Sequence, residues 1–175
     1  MKVTLMMATA ANGYIAKEND ETPWSDAEFK SFHAFVKKRK NIIVGRRTYE
    51  LMKSANDFKE CGNPFVVVMA NHPRDLSKEM NVQYSASPMD ALEIMKAKGF
   101  KEVLLGGGSY TNATFLREGL IDEIIIDIEP FIFGKGIKLF AESQQELKLE
   151  LIKTEKLSKD TIRLHYNVIK KPKKK

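Results

Sequence analysis

Glycines at the end of an apolar segment form the first group of residues with an evident chemical use. Gly106, Gly107 and Gly108 follow the apolar run 103–105 and precede Ser109 and Tyr110. A buried strand that passes through a glycine turn into a helix leaves bare backbone N–H groups at the helix N-terminus, where the helix dipole favours an anion. The turn suits a phosphate or a dinucleotide pyrophosphate, and the alternative is an ordinary tight turn.

A second turn brings fixed positive charge to the same kind of position. Gly45, Arg46, Arg47 and Thr48 follow the apolar segment 41–44 and open a predicted helix. Arginine binds phosphate bidentately, and the start of a helix adds amide donors and a favourable dipole. The alternative is that both arginines are ordinary surface charges.

A third polar group, which contains Asn71, His72 and Arg74, follows the apolar segment 65–69. In a parallel sheet the ligand crevice lies outside the carboxyl ends of the strands. We therefore expect the three strand ends to converge on one long polyanionic ligand, such as a dinucleotide. Surface charge and a structural turn are the competing interpretation for each group taken alone.

The elements that must position these turns alternate between strand-like and helix-like segments. Apolar runs predict strands at residues 3–9, 41–45, 65–69, 82–84, 103–105 and 121–129. Helical spacing and capping residues predict helices at 25–38, 47–53, 88–98 and 110–118. Residues 147–157 and 161–169 read as a hairpin around a tight turn. This order indicates an α/β fold with a mostly parallel sheet, covered on both faces, and an antiparallel C-terminal hairpin at one edge.

Composition limits the classes of protein to which the chain can belong. Its 175 residues, 43% of them apolar, suffice for one domain, which we expect at 1–170. Most of the net charge of +6 sits near the basic tail 171–175, and no basic patch interleaved with aromatic residues predicts nucleic-acid binding. The single Cys61 excludes an internal disulfide, and no segment reads as a signal peptide or a membrane span. We expect a cytoplasmic protein that binds neither membrane nor nucleic acid.

Several motifs, taken in order, resemble those of the dihydrofolate reductase superfamily. They are Asn12-Gly13-Tyr14-Ile15-Ala16, Pro23-Trp24, Gly45-Arg46-Arg47-Thr48-Tyr49-Glu50 and residues 103–110. The segment 119–140, with Asp122-Glu123, Pro130, Gly134-Lys135-Gly136 and Leu139-Phe140, is similar to the reductase domain of bacterial riboflavin biosynthesis. The resemblance implies a three-layer α/β/α fold and an NADPH-dependent reductase that transfers hydride to a pyrimidine ribosylamine, 5-amino-6-(5-phosphoribosylamino)uracil, or to a related heterocycle.

The same resemblance implies a set of coenzyme-binding residues and no metal. Small apolar side chains would border the nicotinamide: Ala8, Ile15 and Ala16. The arginine turn would hold phosphates of NADPH: Gly45, Arg46, Arg47 and Thr48. The glycine turn would cradle the pyrophosphate: Gly107, Gly108, Ser109 and Tyr110. Asn71, with His72 or Arg74, would lie near the adenosine. The family also implies a homodimer, for which the apolar runs 124–126 and 131–133 are candidate interface or core.

Glu28 is the candidate catalytic acid. In dihydrofolate reductases one acid on this helix pairs with the pterin ring, with an aromatic residue four positions on, and Glu28 and Phe32 have that spacing. The competing interpretation is a capping box in which Ser25 caps the helix and Glu28 reaches back to the Ser25 N–H. Asp127 and Glu129 share one face of their strand, which faces either the crevice or, as a solvated or interface-facing pair, the outside.

Two departures from the family pattern bear on the substrate. The riboflavin reductase usually carries an aspartate where this chain has Asn12, and it is commonly fused to a deaminase domain, which we do not expect in this protein. The remaining alternatives are folate reduction and a nucleotide-binding or assembly module without turnover.

Overall fold

An eight-stranded sheet forms the centre of the fold in the computed structural model, which describes residues 1–71, 79–142 and 145–170. Its strands are β1 (Lys2–Ala10), β3 (Asn41–Gly45), β4 (Phe65–Met69), β5 (Val82–Ser85), β6 (Glu102–Leu105), β7 (Glu123–Glu129), β9 (Lys148–Lys156) and β10 (Ile162–Ile169). They lie in the order β5-β4-β3-β6-β1-β7-β10-β9, and only the pairings of β10 with β7 and β9 are antiparallel. The mostly parallel sheet with an antiparallel C-terminal hairpin is thus confirmed.

Five helices cover this sheet in the described ranges. They are α1 (Asp26–Arg39), α2 (Arg46–Ser54), α3 (Asp57–Glu60), α4 (Pro88–Ala97) and α5 (Ser109–Arg117). The serine side chains before α1 and α4 accept hydrogen bonds from backbone N–H groups of the first turn, which explains where those helices begin. None of the helices in the described residues is long and apolar enough to cross a membrane.

Two apolar clusters hold the helices against opposite faces of the sheet. Alternating residues of β3 and β4 divide between them, so that Ile42 and Val44 belong to one cluster and Ile43 to the other. The first cluster includes side chains from α1 and α2, and the second includes side chains from α4 and α5. The result is the expected three-layer α/β/α arrangement.

The sequence patterns missed the smallest elements. Between β1 and α1, where the sequence predicts neither a strand nor a helix, β2 (Tyr14–Ala16) pairs with β8 (Ile137–Lys138) in a separate two-stranded sheet. A three-residue strand has too few side chains to show the alternation of a strand. The four residues of α3 are likewise too few to show helical periodicity. The basic tail at 171–175 lies outside the described residues.

The apolar runs considered for an interface have different locations. Ile124 and Ile125 are almost fully buried in the two clusters, so they belong to the core. Ile132, by contrast, is 72% exposed. At the far edge of the sheet every residue of β9 is exposed, including Leu149 and Leu151.

Candidate functional site

The arginine turn and the glycine turn meet at the carboxyl edge of the sheet. The N–H of Gly45, at the end of β3, donates to the carbonyl of Gly107 at 2.6 Å, and the N–H of Gly106 donates to the carbonyl of Ile43 at 2.8 Å. Gly45 is the N-cap of α2 and Gly108 is the N-cap of α5, and neither helix has a side-chain cap. Two helix N-termini with uncapped amides therefore lie side by side, as the strand order requires.

Close approach of the two turns explains why glycine is needed here. A Cβ atom on Gly45 would lie 2.6 Å from Thr111 Oγ1, and one on Gly107 would lie 2.8 Å from Met7 Sδ. Gly107 also has a φ of +88°, which side chains rarely tolerate. The tight-turn interpretation of these glycines is therefore correct, and it coexists with the phosphate interpretation because the same packing aligns the helix starts.

A cleft of about 720 Å³ opens between the two turns. The predicted coenzyme-binding residues that line it are Ile15, Ala16, Gly45, Arg46, Arg47, Thr48, Asn71, Gly108, Ser109 and Tyr110. Ala8 and Gly107 are not among its lining residues. Successive strand residues face opposite sides of a sheet, and it is Met7, not Ala8, that reaches the cleft. Volume and lining suit an extended ligand with an anionic middle section.

The third strand end contributes in part. Asn71, which follows β4, lines the cleft together with Met69 and Ala70. His72 and Arg74 lie outside the described residues, so their suggested place near the adenosine stays a prediction. Tyr110 lines the opposite wall and is 82% exposed, which leaves its ring free to stack on a ligand.

Both arginines of the cleft are paired with carboxylates. Arg46 Nε donates to Glu50 Oε1 at 2.9 Å, one helical turn along α2. Arg47 Nε donates to Asp20 Oδ2 at 2.7 Å, and Arg47 Nη2 contacts the same oxygen. The arginine side chains are 60% and 68% exposed, so these are weak, solvent-screened pairs. A phosphate can compete for either guanidinium.

The start of α1 shows that the capping-box interpretation is half right. Ser25 Oγ accepts from the N–H of Glu28 at 3.2 Å, as expected for an N-cap. In a capping box the Ser25 N–H would donate to Glu28. Here it donates instead to Glu129 Oε2, on β7, at 2.9 Å. Ser25 Oγ and Thr161 Oγ1 donate to Glu129 Oε1 at 3.0 and 2.9 Å. The Glu28 carboxyl is therefore not used for capping.

Glu28 instead belongs to a buried group of acids. Its side chain is on the covered face of α1 and the residue is only 4% exposed. Burial, together with the charges of Asp127 and Glu129, raises the pKa of Glu28 to about 8, against an opposing effect of Arg163. A carboxyl group with this pKa is largely protonated at neutral pH and can donate a hydrogen bond.

Asp127 and Glu129 are fully buried, so the solvated-pair interpretation is wrong. Arg163 on β10 donates to both Asp127 oxygens, with Nε–Oδ1 2.7 Å and Nη2–Oδ2 2.6 Å, and Nη2 also donates to Ser31 Oγ on α1. Burial raises the pKa of Asp127 although Arg163 opposes the shift. We call Glu28, Asp127, Glu129 and Arg163 the acid cluster.

Asn12 connects the loop after β1 to the segment after β7. Its Nδ2 donates to the carbonyl of Phe133 at 2.7 Å, and its Oδ1 accepts from the N–H of Phe133 at 3.3 Å. An ionised aspartate could accept but not donate, so this chain needs the amide. We call this pair of Asn12–Phe133 hydrogen bonds the Asn12 clamp. Trp24, which precedes α1, stacks on the Phe133 ring with centroids 5.8 Å apart and so packs beside the clamp.

Sequence reasoning missed the partners that act from a distance. Asp20 lies in a polar loop without a motif, and Arg163 lies in a predicted strand where nothing in the sequence marks it as a functional residue. Arg163 is directly opposite Asp127 in the β7–β10 register, a pairing that only the strand order of the folded protein reveals. No group of three or more potential metal ligands is found among residues 1–71, 79–142 and 145–170. Cys61 is buried, and burial raises its pKa to about 12.

A three-layer α/β/α sandwich with a cleft between the β3–α2 and β6–α5 turns defines a protein of the dihydrofolate reductase-like fold. Residues 1–163 match the RibD C-terminal domain, and the chain belongs to this family of riboflavin-pathway reductases. Among relatives, the uncharacterized protein YwjB of Bacillus subtilis is 28% identical over 170 residues, which cover 94% of this chain and 97% of YwjB.

Solved structures support the same assignment. A putative riboflavin biosynthesis protein from Shewanella sp. PV-4 is 26% identical with a TM-score of 0.81, and the match covers 97% of this chain and 100% of that one. The diaminohydroxyphosphoribosylaminopyrimidine deaminase/5-amino-6-(5-phosphoribosylamino)uracil reductase of Thermotoga maritima is 18% identical with a TM-score of 0.72. That match covers 96% of this chain but 56% of the bifunctional protein, and it bears on the fold alone.

Proposed function

We propose that this protein is an NADPH-dependent reductase that transfers hydride to a pyrimidine ribosylamine or a related heterocycle. The observation that carries the proposal is the convergence of the arginine turn and the glycine turn on one cleft, joined by the Gly45–Gly107 hydrogen bond. Membership of a riboflavin-pathway reductase family supports the reaction type. A reductase of this kind acts in the cytoplasm, the localisation that the sequence predicts.

The residues of the cleft fit the coenzyme. The amides at the starts of α2 and α5 would hold the pyrophosphate, and Arg46 and Arg47 would hold the 2′-phosphate that distinguishes NADPH from NADH. Ile15 and Ala16, both nearly buried, offer a flat apolar wall for the nicotinamide and exclude water from it. NADPH would supply the hydride, so the chain contributes chiefly orientation and a dry site.

Glu28 would serve the substrate side of the site. A protonated carboxyl group near Asp127 and Glu129 can donate a hydrogen bond to a ring nitrogen or carbonyl and raise the ring's tendency to accept hydride. The role rests on its buried position and on its pKa of about 8.

Titration with NADPH and NADH, followed through quenching of the single tryptophan, Trp24, tests the coenzyme assignment. We expect saturable binding and a preference for NADPH that disappears in the double variant Arg46→Ala/Arg47→Ala, while NADH binding persists. Lys96→Ala/Arg117→Ala removes the same charge from residues outside the cleft and should leave both affinities unchanged. If neither coenzyme binds at near-millimolar concentration, the assignment is wrong and a module without turnover is the better description.

Folate reduction is the second candidate, and the placement of Glu28 on α1 favours it. An acid at this position pairs with the pterin in the dihydrofolate reductases that the sequence resembles. A folate analogue such as methotrexate would then raise the thermal unfolding midpoint in the presence of NADPH, because a ligand of the native state stabilises it by mass action. Failure of methotrexate to stabilise the protein, with NADPH bound, would leave the pyrimidine substrate.

A homodimer is proposed on a surface that the sequence did not single out. Leu149 and Leu151 of β9 lie opposite Val168 and Tyr166 of β10, on a face that also carries Ile162. Leu149, Leu151 and Ile162 are exposed in the single chain. Light scattering should give twice the chain mass for the wild-type protein. Leu151→Lys should disrupt the interface and give the mass of a single chain. A monomeric wild-type protein would contradict this proposal.

A further inference from the structure

The loop between β2 and α1 is held in a fixed shape by its own hydrogen bonds. The N–H of Lys17 donates to the carbonyl of Glu21 at 2.9 Å, and the N–H of Asp20 donates to the carbonyl of Lys17 at 3.1 Å. Lys17 Nζ and Glu21 Oε2 form an ion pair at 2.9 Å outside the cleft. Asp20 adopts a left-handed conformation with a φ of 68° at the tip of this loop.

From this tip Asp20 reaches across the cleft to the start of α2. Its carboxylate accepts from the Arg47 guanidinium, which is 27 residues away along the chain. The Asp20 side chain is 16% exposed, whereas that of Arg47 is 68% exposed, so the carboxylate is the more enclosed partner of the pair. Both residues line the cleft, together with Thr22 from the same loop.

Asp20 differs in this respect from the carboxylate that pairs with the other arginine. Glu50 lies on α2 itself and does not line the cleft, so a ligand at Arg46 need not approach it. A phosphate at the start of α2 would meet the Asp20 carboxylate at close range. The two anions would compete for the same N–H donors and repel one another.

We propose that Asp20 is a specificity-determining residue that competes with a coenzyme phosphate for Arg47. Binding of the phosphate releases the 17–22 loop from α2, so the ion pair lowers the affinity for phosphate-rich ligands. This inference rests on the proposed function, since it assumes that the cleft takes a dinucleotide. It adds a residue that opposes binding and that no phosphate-binding pattern would indicate.

Asp20→Asn tests the proposal with the fold intact, because asparagine accepts the left-handed conformation at least as well as aspartate. We expect NADPH to bind about two- to fivefold more tightly, chiefly because the substitution frees Arg47 from a partly exposed ion pair. Glu21→Gln removes the same charge from the same loop but leaves Arg47 paired, and should change the affinity less than twofold. Most of the gain should be lost when Arg47→Ala is combined with Asp20→Asn.

A gain that is undiminished without Arg47, or an equal gain in Glu21→Gln, would overturn the proposal in favour of a general charge effect. Inorganic pyrophosphate, titrated by calorimetry into both variants and the wild type, separates this proposal from the function. If NADPH does not bind but pyrophosphate binds more tightly to Asp20→Asn through Arg47, the competition holds and the coenzyme assignment fails. If neither NADPH nor pyrophosphate gains affinity in Asp20→Asn, the competition is refuted.

Discussion

Replacement of Glu28 by glutamine should change how the stability of the protein depends on pH. The pKa of Glu28 is about 8 in the folded protein, against an ordinary value of 4.5, chiefly because the side chain is buried. Between these two values the folded protein binds a proton that the unfolded chain has released. Stability must therefore fall as the pH rises from about 4.5 to about 8, and stay lowered above that.

The size of the effect follows from the same shift. A displacement of about 3.5 pH units corresponds to roughly 5 kcal/mol of free energy at high pH. Because Arg163 and the surrounding side chains can reorient when Glu28 ionises, we expect about 2 to 4 kcal/mol of this to be observed. Glutamine has nearly the same shape as the protonated acid and does not ionise, so Glu28→Gln should remove the loss.

Urea unfolding of both proteins at intervals between pH 5 and 9 measures the difference. We expect near-equal free energies of unfolding at pH 5 and a variant that is more stable by the stated amount at pH 8.5. Glu21→Gln serves as the control, since the Glu21 side chain is exposed and its pKa is lowered by Lys17. A wild-type-to-variant difference for Glu28 that stays constant from pH 5 to 9 would refute the argument.

Three further substitutions or probes test the surroundings of the site. Arg163→Met should lower the free energy of unfolding by about 3–5 kcal/mol in urea at pH 7, because it leaves Asp127 buried without its partner. Adding Asp127→Asn should recover much of the loss. A single variant as stable as the wild type would show that the Arg163–Asp127 pair does not stabilise the fold. Asn12→Asp should lower the free energy of unfolding by about 1–3 kcal/mol through loss of the donor to Phe133, so an unchanged melting temperature would count against the clamp. Cys61 should react with a thiol reagent at pH 8 no faster than the protein unfolds, and rapid labelling of the folded protein would show that the thiol is accessible.

The sequence was most informative where structure and function depend on neighbours along the chain. Gly45 through Thr48 and Gly107 through Tyr110 are local strand–turn–helix signals, and each turn has the predicted form. Their convergence follows from the parallel order of strands, which the alternation of elements also predicts. The main elements of the sheet and the arginine side of the cleft could therefore be predicted from the sequence.

The acid cluster could not be predicted from the sequence, because its contacts join residues that are far apart along the chain. Whether Glu28 caps its own helix or enters a buried cluster depends on Glu129, which is 104 residues from Ser25 and takes over the capping bond. Likewise the burial of Asp127 depends on Arg163, which a hairpin brings back beside β7. Local spacing is the same in either arrangement, so only the tertiary structure decides between them.

The geometry of β1 constrains how one ligand pair could use both halves of the site. Met7 lines the coenzyme cleft, whereas Ala8 stands opposite Asp127 in the β1–β7 register. Opposed residues of neighbouring strands face the same side of a sheet, and successive residues face opposite sides. The cleft and the acid cluster therefore approach β1 from different sides, and a substrate that meets both must cross its carboxyl end, where the Asn12 clamp holds the chain. For hydride transfer at this position, the Asn12 clamp would fix the backbone that lies between the bound coenzyme and the substrate. Loss of the clamp in Asn12→Asp should therefore lower kcat more than the affinity for the coenzyme.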